Sequence, residues 1–307
     1  MTVDVSVVVP AYNEADSLPE LVERIRSALA PRGRTWEILI VDDGSTDATR
    51  EVLKSLAAHV PELRHRSFLR NYGKSAALAV GFELAQGDRI ITMDADLQDD
   101  PDEIPMLLEK LDQGWDLVSG WKRVRQDPLS KRLPSRLFNS VTGSVSGLRL
   151  HDFNCGLKAY RGDVARDLPV YGELHRFLPA VAHWRGYRVT EMPVQHHARR
   201  HGSSKFGSSR FVNGFLDLLT VTFVHSGRLS PLHVFGRIGL LLGLVGGGIF
   251  TGFVVSWLLG HAIHTRPIFF IALILIILAI QFISLGLLGE LVVKGQSRPV
   301  IAFREDD

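Results

Sequence analysis

The chain has little cysteine and almost no net charge. Cys155 is the single cysteine among 307 residues, which excludes a disulfide within one chain and fits a reducing compartment. The formal net charge is +2, and we expect no nucleic acid among the partners. These averages conceal a front part of mixed polarity and an apolar back part.

Two stretches near the C-terminus lack charge. Residues 235–259 contain one charged side chain, that of Arg237, and residues 267–289 contain none. A membrane-spanning helix needs about 20 mostly apolar residues, so each stretch is long enough to cross a bilayer. The short connection between them predicts an antiparallel hairpin. Two buried helices of a soluble protein are the alternative, but twin apolar runs of this length are rare in soluble domains.

The basic residues around this hairpin predict its orientation. Lys and Arg are enriched in the cytoplasmic segments of membrane proteins. Here they flank the hairpin at its two outer ends, whereas the connection carries Arg266 alone. We therefore expect the front domain and both termini in the cytoplasm. The flanking residues are Arg228, Arg237, Lys294, Arg298 and Arg304.

The front part alternates apolar strands with amphipathic helices. This pattern predicts an α/β fold with a mostly parallel sheet covered by helices on both faces. Strands are expected at 5–9, 37–41, 63–69 and 88–94, and helices at 17–29, 47–59, 75–85 and 101–113. Ligands of such sheets bind beyond the carboxyl ends of the strands. Three polar clusters fall there: Pro10–Glu14, Asp42–Asp43 and Asp94–Asp96.

The third cluster places two carboxylates, those of Asp94 and Asp96, directly after an apolar strand. Carboxylate oxygens suit Mg2+ or Mn2+, which usually keeps positions open for substrate phosphates. Taken alone, the triplet before Pro101 equally fits a polar turn that leads into a helix. Its place beside the other two clusters favours a metal-bound diphosphate.

Further polar segments suit nucleotide or phosphate binding. Asp42–Asp47 has turn and helix-cap chemistry, and a carboxylate there also accepts hydrogen bonds from a base or ribose. Arg70–Lys74 precedes a helix start, where N–H groups and two cations suit phosphate oxygens, although the spacing is not that of a P-loop. Arg199–Lys205 is a basic loop that suits either a nucleotide diphosphate or a lipid phosphate.

Basic and apolar residues share two segments outside the alternating pattern. Residues from about 129 to 148 predict an amphipathic helix at the membrane surface, with a solvated basic helix as the alternative. Residues 211–223 repeat the theme within an expected juxtamembrane helix, 207–234. The predicted front domain is then 1–206, and the tail after the hairpin is 290–307.

Six segments, in order along the chain, resemble the glycosyltransferase family 2 enzymes of the GT-A fold. The resemblance is to the polyprenyl-phosphate sugar transferases, which include dolichol-phosphate mannose synthase and the bactoprenol glucosyltransferases. It implies a metal-dependent, inverting transfer from a nucleotide-sugar donor, with UDP-glucose favoured, to undecaprenyl or dolichyl phosphate. The segments are Val8–Glu14, Val41–Ser45, Arg70–Leu78, Met93–Pro101, Asp152–Lys158 and Arg199–Lys205.

The resemblance also implies a role for each matching residue. Asp94 and Asp96 would be the catalytic pair, and Asp96 with Gln98 would bind Mg2+ or Mn2+. Asp94 and Ala95 would contact the ribose or the donor sugar. The residues implied at the base and ribose are Pro10, Tyr12, Glu14 and Asp43, with Asp42 as their structural neighbour in the nucleotide-sugar site. Those implied at the donor phosphates are Lys74, Lys122, Arg199 and Lys205, and those at the lipid phosphate are Arg132 and Arg136.

Two other functions stay open. A family 2 enzyme that acts on a saccharide hydroxyl needs a general base, for which Glu173 or Asp152 is available. The Glu-Asp and Gln-x-x-Arg-Trp motifs typical of polysaccharide synthases are absent, and an anionic phosphate acceptor needs positioning more than a base. The other alternative is a membrane-anchored nucleotide-sugar binding protein without turnover, against which the metal carboxylates argue. A homo-oligomer is expected.

Overall fold

The computed structural model describes residues 3–123, 129–197, 230–260 and 267–296, with the backbone alone at 129–137 and 292–296. The chain divides into two compact units, Met1–Val221 and Thr222–Asp307. The first is an α/β unit and the second a helical hairpin.

The α/β unit is built on a seven-stranded sheet with the order β3-β2-β1-β4-β6-β5-β7. Strand β6 runs antiparallel to β4 and β5, whereas the other neighbouring pairs are parallel. The sheet is thus mostly parallel, as the alternating pattern predicts. The strands are β1 Val5–Ala11, β2 Trp36–Asp42, β3 Leu63–Ser67, β4 Arg89–Thr92, β5 Leu117–Lys122, β6 Lys158–Arg161 and β7 Val189–Val194.

Helices cover both faces of the sheet. Successive residues of a strand point to opposite faces, so Val7 and Val9 belong to one apolar core and Val8 belongs to the other. The helices are α1 Leu18–Leu29, α2 Thr49–His59, α3 Lys74–Leu84, α4 Ile104–Asp112, α5 Leu129–Ser146, α6 Gly162–Asp167 and α7 Leu178–Trp184. Single 3₁₀ turns lie at Ala30–Arg32, Pro101–Glu103 and Leu174–Arg176.

The structure departs from the predicted elements in two places that matter for function. Strand β4 ends at Thr92 rather than at Asp94, which leaves both carboxylates of the Asp94–Asp96 segment in a loop. The expected helix at 101–113 begins instead with a 3₁₀ turn, because Asp100 accepts a hydrogen bond from the Asp102 N–H at 3.0 Å and caps that turn. Strands β5 to β7 were not predicted.

The second unit consists of α8 Pro231–Leu258 and α9 Pro267–Gln296. Ser230 caps α8 and Pro231 occupies its first turn, where a missing N–H costs nothing. Glycines allow the two helices to approach closely. A methyl group added at Gly239 would lie 2.7 Å from the Ile283 side chain, and one added at Gly246 would lie 2.8 Å from Leu275.

Both hairpin helices are long and apolar enough to cross a membrane. Mean hydropathy reaches 2.2 in α8 and 3.0 in α9, and only 11% of each apolar stretch is buried within the protein. A core helix of a soluble protein would bury most of such a stretch. The exposed apolar surface therefore favours the predicted membrane spans over the soluble alternative.

Candidate active site

The loops after β1 and β2 are locked together at the carboxyl edge of the sheet. Asp43 N–H donates to the Ala11 carbonyl at 2.8 Å, which continues the pairing of the two strands. The Asn13 side chain accepts from Thr46 N–H at 2.8 Å, and Asn13 N–H donates to Ser45 Oγ at 2.8 Å. Because β1 and β2 run parallel, two of the predicted polar clusters come into direct contact at their ends.

Asp43 organises the third loop at this edge. Its buried carboxylate accepts hydrogen bonds from Tyr72 N–H at 2.7 Å, Gly73 N–H at 2.9 Å and Asn71 Nδ2 at 2.9 Å. Burial raises the pKa of Asp43 above its ordinary value, although these N–H groups oppose the shift. These three donors make four hydrogen bonds, because Gly73 N–H lies 2.9 Å from one carboxylate oxygen and 3.2 Å from the other. Four hydrogen bonds are about the capacity of a carboxylate, so Asp43 holds residues 71–73 in place.

Gly44 is required where this loop meets the turn after β2. Its φ is +70°, and an added Cβ would lie 2.3 Å from the carbonyl carbon of Arg70. Any larger residue would clash with backbone and would also occupy a disfavoured conformation. The close contact places Arg70 beside the end of β2.

Asp94 and Lys74 form an ion pair at the centre of the site. Lys74 is the first residue of α3, whose N-terminus therefore faces the end of β4. Burial alone would raise the pKa of Asp94, but the charges of Lys74 and Lys122 outweigh it and hold that pKa well below its ordinary range. Asp94 is therefore an anion at every physiological pH.

Gly156 leaves room for the Asp94 carboxylate. A methyl group at Gly156 would lie 2.7 Å from Asp94 Cγ and 2.8 Å from each carboxylate oxygen. Thr92 Oγ1 donates to the Gly156 carbonyl at 2.9 Å and fixes this backbone. Glycine is therefore required at this position of the Asp152–Lys158 segment, because a side chain there would clash with the Asp94 carboxylate.

Asp96 and Gln98 follow on a tight turn. Gln98 N–H donates to Asp96 Oδ1 at 3.2 Å, and Leu97 between them has a φ of +58°. A non-glycine residue in this conformation costs roughly 1–3 kcal/mol. The Leu97 side chain is 1% exposed in the core, and its burial offsets that strain. The turn holds the two predicted metal ligands at one edge.

The segment after this turn, residues 98–100, is held by Lys122 on one side and by His197 on the other. Lys122 Nζ lies 2.9 Å from Asp99 Oδ1, and Asp99 is 1% exposed. Burial would lower the pKa of Lys122, but Asp99, the largest opposing charge, raises it well above its ordinary value. His197 N–H donates to the Gln98 carbonyl at 2.9 Å, and its ring lies 2.8 Å from Asp100. Asp99 as the partner of Lys122 was not predicted.

The remaining predicted nucleotide contacts are placed near the same edge. Pro10 lines a small cavity beside Asp94. Glu14 N–H donates to Thr49 Oγ1 at 2.9 Å, and the Glu14 carboxylate accepts from Ser17 Oγ at 3.0 Å. Tyr12 is half-buried, Asp42 accepts from Ser45 N–H at 3.0 Å, and the Ala95 methyl group packs in the core.

Four predicted phosphate contacts fall outside what the structure describes. Arg199 and Lys205 lie among residues 198–229, and the side chains of Arg132 and Arg136 lie among those not described in α5. The backbone of the latter two is helical. Among the described residues, no group of three or more His, Cys, Asp or Glu side chains is arranged to hold a metal ion by itself.

Two residues of the site were missed by the sequence analysis. Lys158 and His175 line the cavity beside Asp94, together with Lys74. Lys158 is the last residue of the Asp152–Lys158 segment, and its place in that segment was the available signal. His175 comes from a separate 3₁₀ turn and carries no local signal.

The site therefore lies at the edge of a GT-A-like sheet, and the family assignment follows from its sequence. The model of the family described as "Glycosyl transferase family 2" matches residues 6–168. This is more than half of the chain and includes β1 to β6. The chain belongs to glycosyl transferase family 2. The predicted family and the catalytic nature of the protein are thereby confirmed.

Curated members of family 2 match almost the whole chain. The dodecaprenyl-phosphate galacturonate synthase of Rhizobium johnstonii is 39% identical over 95% of this chain and 88% of its own length. The undecaprenyl-phosphate 4-deoxy-4-formamido-L-arabinose transferase of Edwardsiella ictaluri is 39% identical over 93% of this chain and 87% of its own length. Their names confirm the predicted resemblance to polyprenyl-phosphate sugar transferases.

A solved structure confirms the fold. Glucosyl-3-phosphoglycerate synthase from Mycobacterium tuberculosis, crystallised with Mn2+, UDP-glucose and phosphoglyceric acid, superposes with a TM-score of 0.55. The match covers 71% of this chain and 80% of that chain at 21% sequence identity. The expected GT-A architecture with a mostly parallel sheet is thus correct.

Proposed function

We propose that this family 2 enzyme transfers a sugar from a nucleoside diphosphate sugar to a polyprenyl phosphate. The observation that carries the proposal is the extent of the two relatives named above, which span 93–95% of this chain. Both names contain a polyprenyl phosphate, and the matched region includes the hairpin. A lipid acceptor explains why a soluble-type α/β unit is joined to two apolar helices.

The proposed reaction takes place at the cytoplasmic face of the membrane. The basic residues that flank the hairpin support this orientation, because the connection between α8 and α9 carries only Arg266. In this arrangement both termini and the α/β unit share the cytoplasmic side with nucleotide sugars.

The proposed donor is a UDP-sugar. Glucose is the sugar favoured by the family resemblance, whereas the relatives' names contain galacturonate and 4-deoxy-4-formamido-arabinose. The three sugars differ at C4 and in the substituent on C5. Discrimination among them is proposed to come from side chains near Asp94, the residue proposed to contact the donor sugar.

Asp96 and Gln98 are the proposed ligands of Mg2+ or Mn2+. Their donor set consists of a carboxylate and an amide oxygen, the hard ligands that these ions prefer. Magnesium commonly takes only one or two carboxylates and completes its shell with substrate phosphates and water, so a set with one carboxylate fits. When bound, the ion would neutralise charge on the departing diphosphate.

The acceptor needs no general base. A phosphate monoester oxygen attacks the anomeric carbon directly, the bond to the nucleotide diphosphate breaks, and the configuration inverts. Glu173, one candidate base for a hydroxyl acceptor, is ion-paired with Arg176 at 2.8 Å. Asp152, the other, is 1% exposed and accepts from Asn154 N–H at 3.1 Å. These contacts favour the phosphate acceptor over the saccharide alternative.

The cations of the site then have distinct tasks. Lys74 and Lys122 are held by Asp94 and Asp99 at the strand ends, where they would balance the donor diphosphate. Arg199 and Lys205 are proposed at the same phosphates. Arg132 and Arg136 on α5 are proposed to hold the lipid phosphate. A homo-oligomeric state stays a prediction.

A transfer assay tests the proposal. The purified full-length protein is incubated with Mg2+, undecaprenyl phosphate and one of three radiolabelled donors: UDP-glucose, UDP-galacturonate or UDP-4-deoxy-4-formamido-arabinose. We expect label in the chloroform-extractable fraction with at least one donor, and its loss after chelation with EDTA. Label released as free sugar, or none extracted with any donor, would contradict the lipid acceptor. Full activity in EDTA would contradict the metal.

Gly156→Ala should reduce transfer without unfolding the protein. The new methyl group would displace the Asp94 carboxylate from Lys74, and a misplaced catalytic group commonly costs about 100-fold in rate. A matched control is Gly247→Ala, where an added methyl meets no atom within 4 Å. Steady-state transfer assays on both variants, with UDP binding as a check of folding, measure the effect. Equal activity of the two variants would show that Asp94 need not stay in this position.

A further inference from the structure

A pair of hydrogen bonds attaches the start of α3 to the 3₁₀ turn Leu174–Arg176. Ser75 is the second residue of α3, directly after Lys74, and is 1% exposed. The backbone N–H of His175 donates to Ser75 Oγ at 3.3 Å, and Ser75 Oγ lies 2.9 Å from Nδ1 of the His175 ring. Two contacts between the same two residues fix both the position and the orientation of the imidazole.

The direction of the second hydrogen bond follows from the first. Because Ser75 Oγ accepts the backbone N–H, its hydroxyl proton is available to Nδ1, which accepts it only in a neutral imidazole. Burial lowers the pKa of His175 well below its ordinary value, and the charges of Lys74 and Arg176 lower it further. A lowered pKa keeps the ring neutral at physiological pH. Ser75 therefore donates to Nδ1, and the ring proton lies on Nε2.

Of the two partners, the 3₁₀ turn is the more firmly held. Leu174 is 3% exposed, Phe177 is fully buried, and the centre of the Phe177 ring lies 5.2 Å from that of Phe138 on α5. The start of α3 lacks a capping side chain, because Gly73 occupies its N-cap position. The contact with Ser75 therefore transmits the position of the 3₁₀ turn to the first turn of α3.

On the basis of the proposed function, we propose that His175 is a positioning residue that, through Ser75, holds Lys74 in place beside the donor diphosphate. Lys74 precedes Ser75 in the same helical turn and pairs with Asp94. The lysine ammonium is a point charge on a flexible stem, so its location depends on a fixed backbone. Lys74, Asp94 and His175 line one small cavity, which places the three side chains together. The acceptor atom Nδ1 carries this role, and the ring itself need not touch the substrate.

Two substitutions of the histidine separate the roles of its ring atoms. His175→Asn puts an amide oxygen close to the place of Nδ1 and so keeps an acceptor for Ser75, whereas His175→Gln puts its amide group near the place of Nε2. For the full-length protein with Mg2+, undecaprenyl phosphate and the UDP-sugar that the wild type transfers fastest, we expect His175→Asn to keep kcat/KM within about fivefold. His175→Gln and Ser75→Ala should each lower kcat/KM by about 100-fold, because a displaced catalytic group commonly costs that much. His59→Gln, at an exposed position on α2, is the control and should match the wild type.

The double variant Ser75→Ala/His175→Gln tests whether the two residues act through one contact. It should lose no more activity than either single variant, because both changes remove the same hydrogen bond. Losses that multiply, or a His175→Asn variant as slow as His175→Gln, would overturn the proposal and point to a direct role of Nε2. A lowered melting temperature with unchanged kcat/KM in His175→Gln and Ser75→Ala would also overturn it, because His175 would then serve stability alone.

UDP binding in the presence of Mg2+, measured by titration calorimetry, separates this inference from the proposed function. Lys74 is proposed at the donor diphosphate, so UDP affinity should fall in His175→Gln and Ser75→Ala and be retained in His175→Asn. If no UDP-sugar yields lipid-linked product, this pattern of UDP affinities would sustain the positioning role while the transfer proposal fails. Transfer by the wild type, with equal UDP affinity and equal kcat/KM in all the single variants, would overturn the positioning role alone.

Discussion

Asp96→Asn should lower kcat/KM for sugar transfer by about a thousandfold. The amide keeps the size of the side chain and an oxygen to accept the Gln98 N–H, which lies 3.2 Å from Asp96 Oδ1. The turn through Leu97 should therefore persist. What the variant loses is the negative charge of the proposed metal ligand, and metal-assisted charge stabilisation is worth several kcal/mol in the transition state.

The matched control is Asp102→Asn, the same change six residues along the chain. The Asp102 side chain is 73% exposed, and its contact with Arg24 is a loose one of 3.7 Å. This variant should transfer sugar at nearly the wild-type rate. Mn2+ binding, followed by electron paramagnetic resonance in the presence of UDP, should weaken in Asp96→Asn only. Wild-type Mn2+ affinity in Asp96→Asn would remove this residue from the metal site.

Asp43→Ala should destabilise the α/β unit and weaken donor binding together. The substitution removes the acceptor of the N–H groups of Tyr72 and Gly73 and of the Asn71 amide. Each buried donor left without a partner costs about 1–3 kcal/mol. Water reaches part of this loop, so we expect a total near 2–4 kcal/mol, which corresponds to roughly 5–15 °C in apparent melting temperature.

A loss of affinity for the UDP-sugar distinguishes a role of Asp43 in substrate binding from a role in stability alone. Residues 71–73 lead directly into Lys74 and α3, so a loosened loop should raise KM for the UDP-sugar more than it lowers kcat. Asp16→Ala, at an exposed position in the loop between β1 and α1, should change neither the KM for the UDP-sugar nor the melting temperature. Thermal unfolding with and without UDP, combined with steady-state kinetics, measures both. An unchanged KM with a lowered melting temperature would restrict Asp43 to stability.

Local patterns in the sequence predicted the first four strands because strands and helices alternate there, and β1, β2 and β4 are also apolar runs. Strands β5 to β7 carry weaker signals. Strand β6 has only four residues, Lys158–Arg161, and pairs antiparallel with β4 and β5. Its partners are distant in sequence, and neither its length nor its composition reveals them.

The sequence by itself determined the family, the alternation of strands and helices, the polar clusters at the strand ends and the apolar hairpin. Each of these depends on periodicity, run length or turn chemistry within a short window. Only the tertiary structure decided which charged side chains are already paired with other groups of the protein. Asp43 is occupied by residues 71–73, Lys122 by Asp99, and Asp94 by Lys74, whereas Lys158 is left with a backbone carbonyl.

The physical reason is that the partner of a charged group is selected by packing between distant elements. The Asp94–Lys74 pair joins residues 20 apart because the start of α3 lies beside the end of β4, and Ser75 meets His175 across 100 residues. No local pattern encodes such contacts. The Asp94–Asp96 segment was predictable as a site, but the ion pair of Asp94 with Lys74 and the contact of Ser75 with His175 depend on side chains that folding alone brings together.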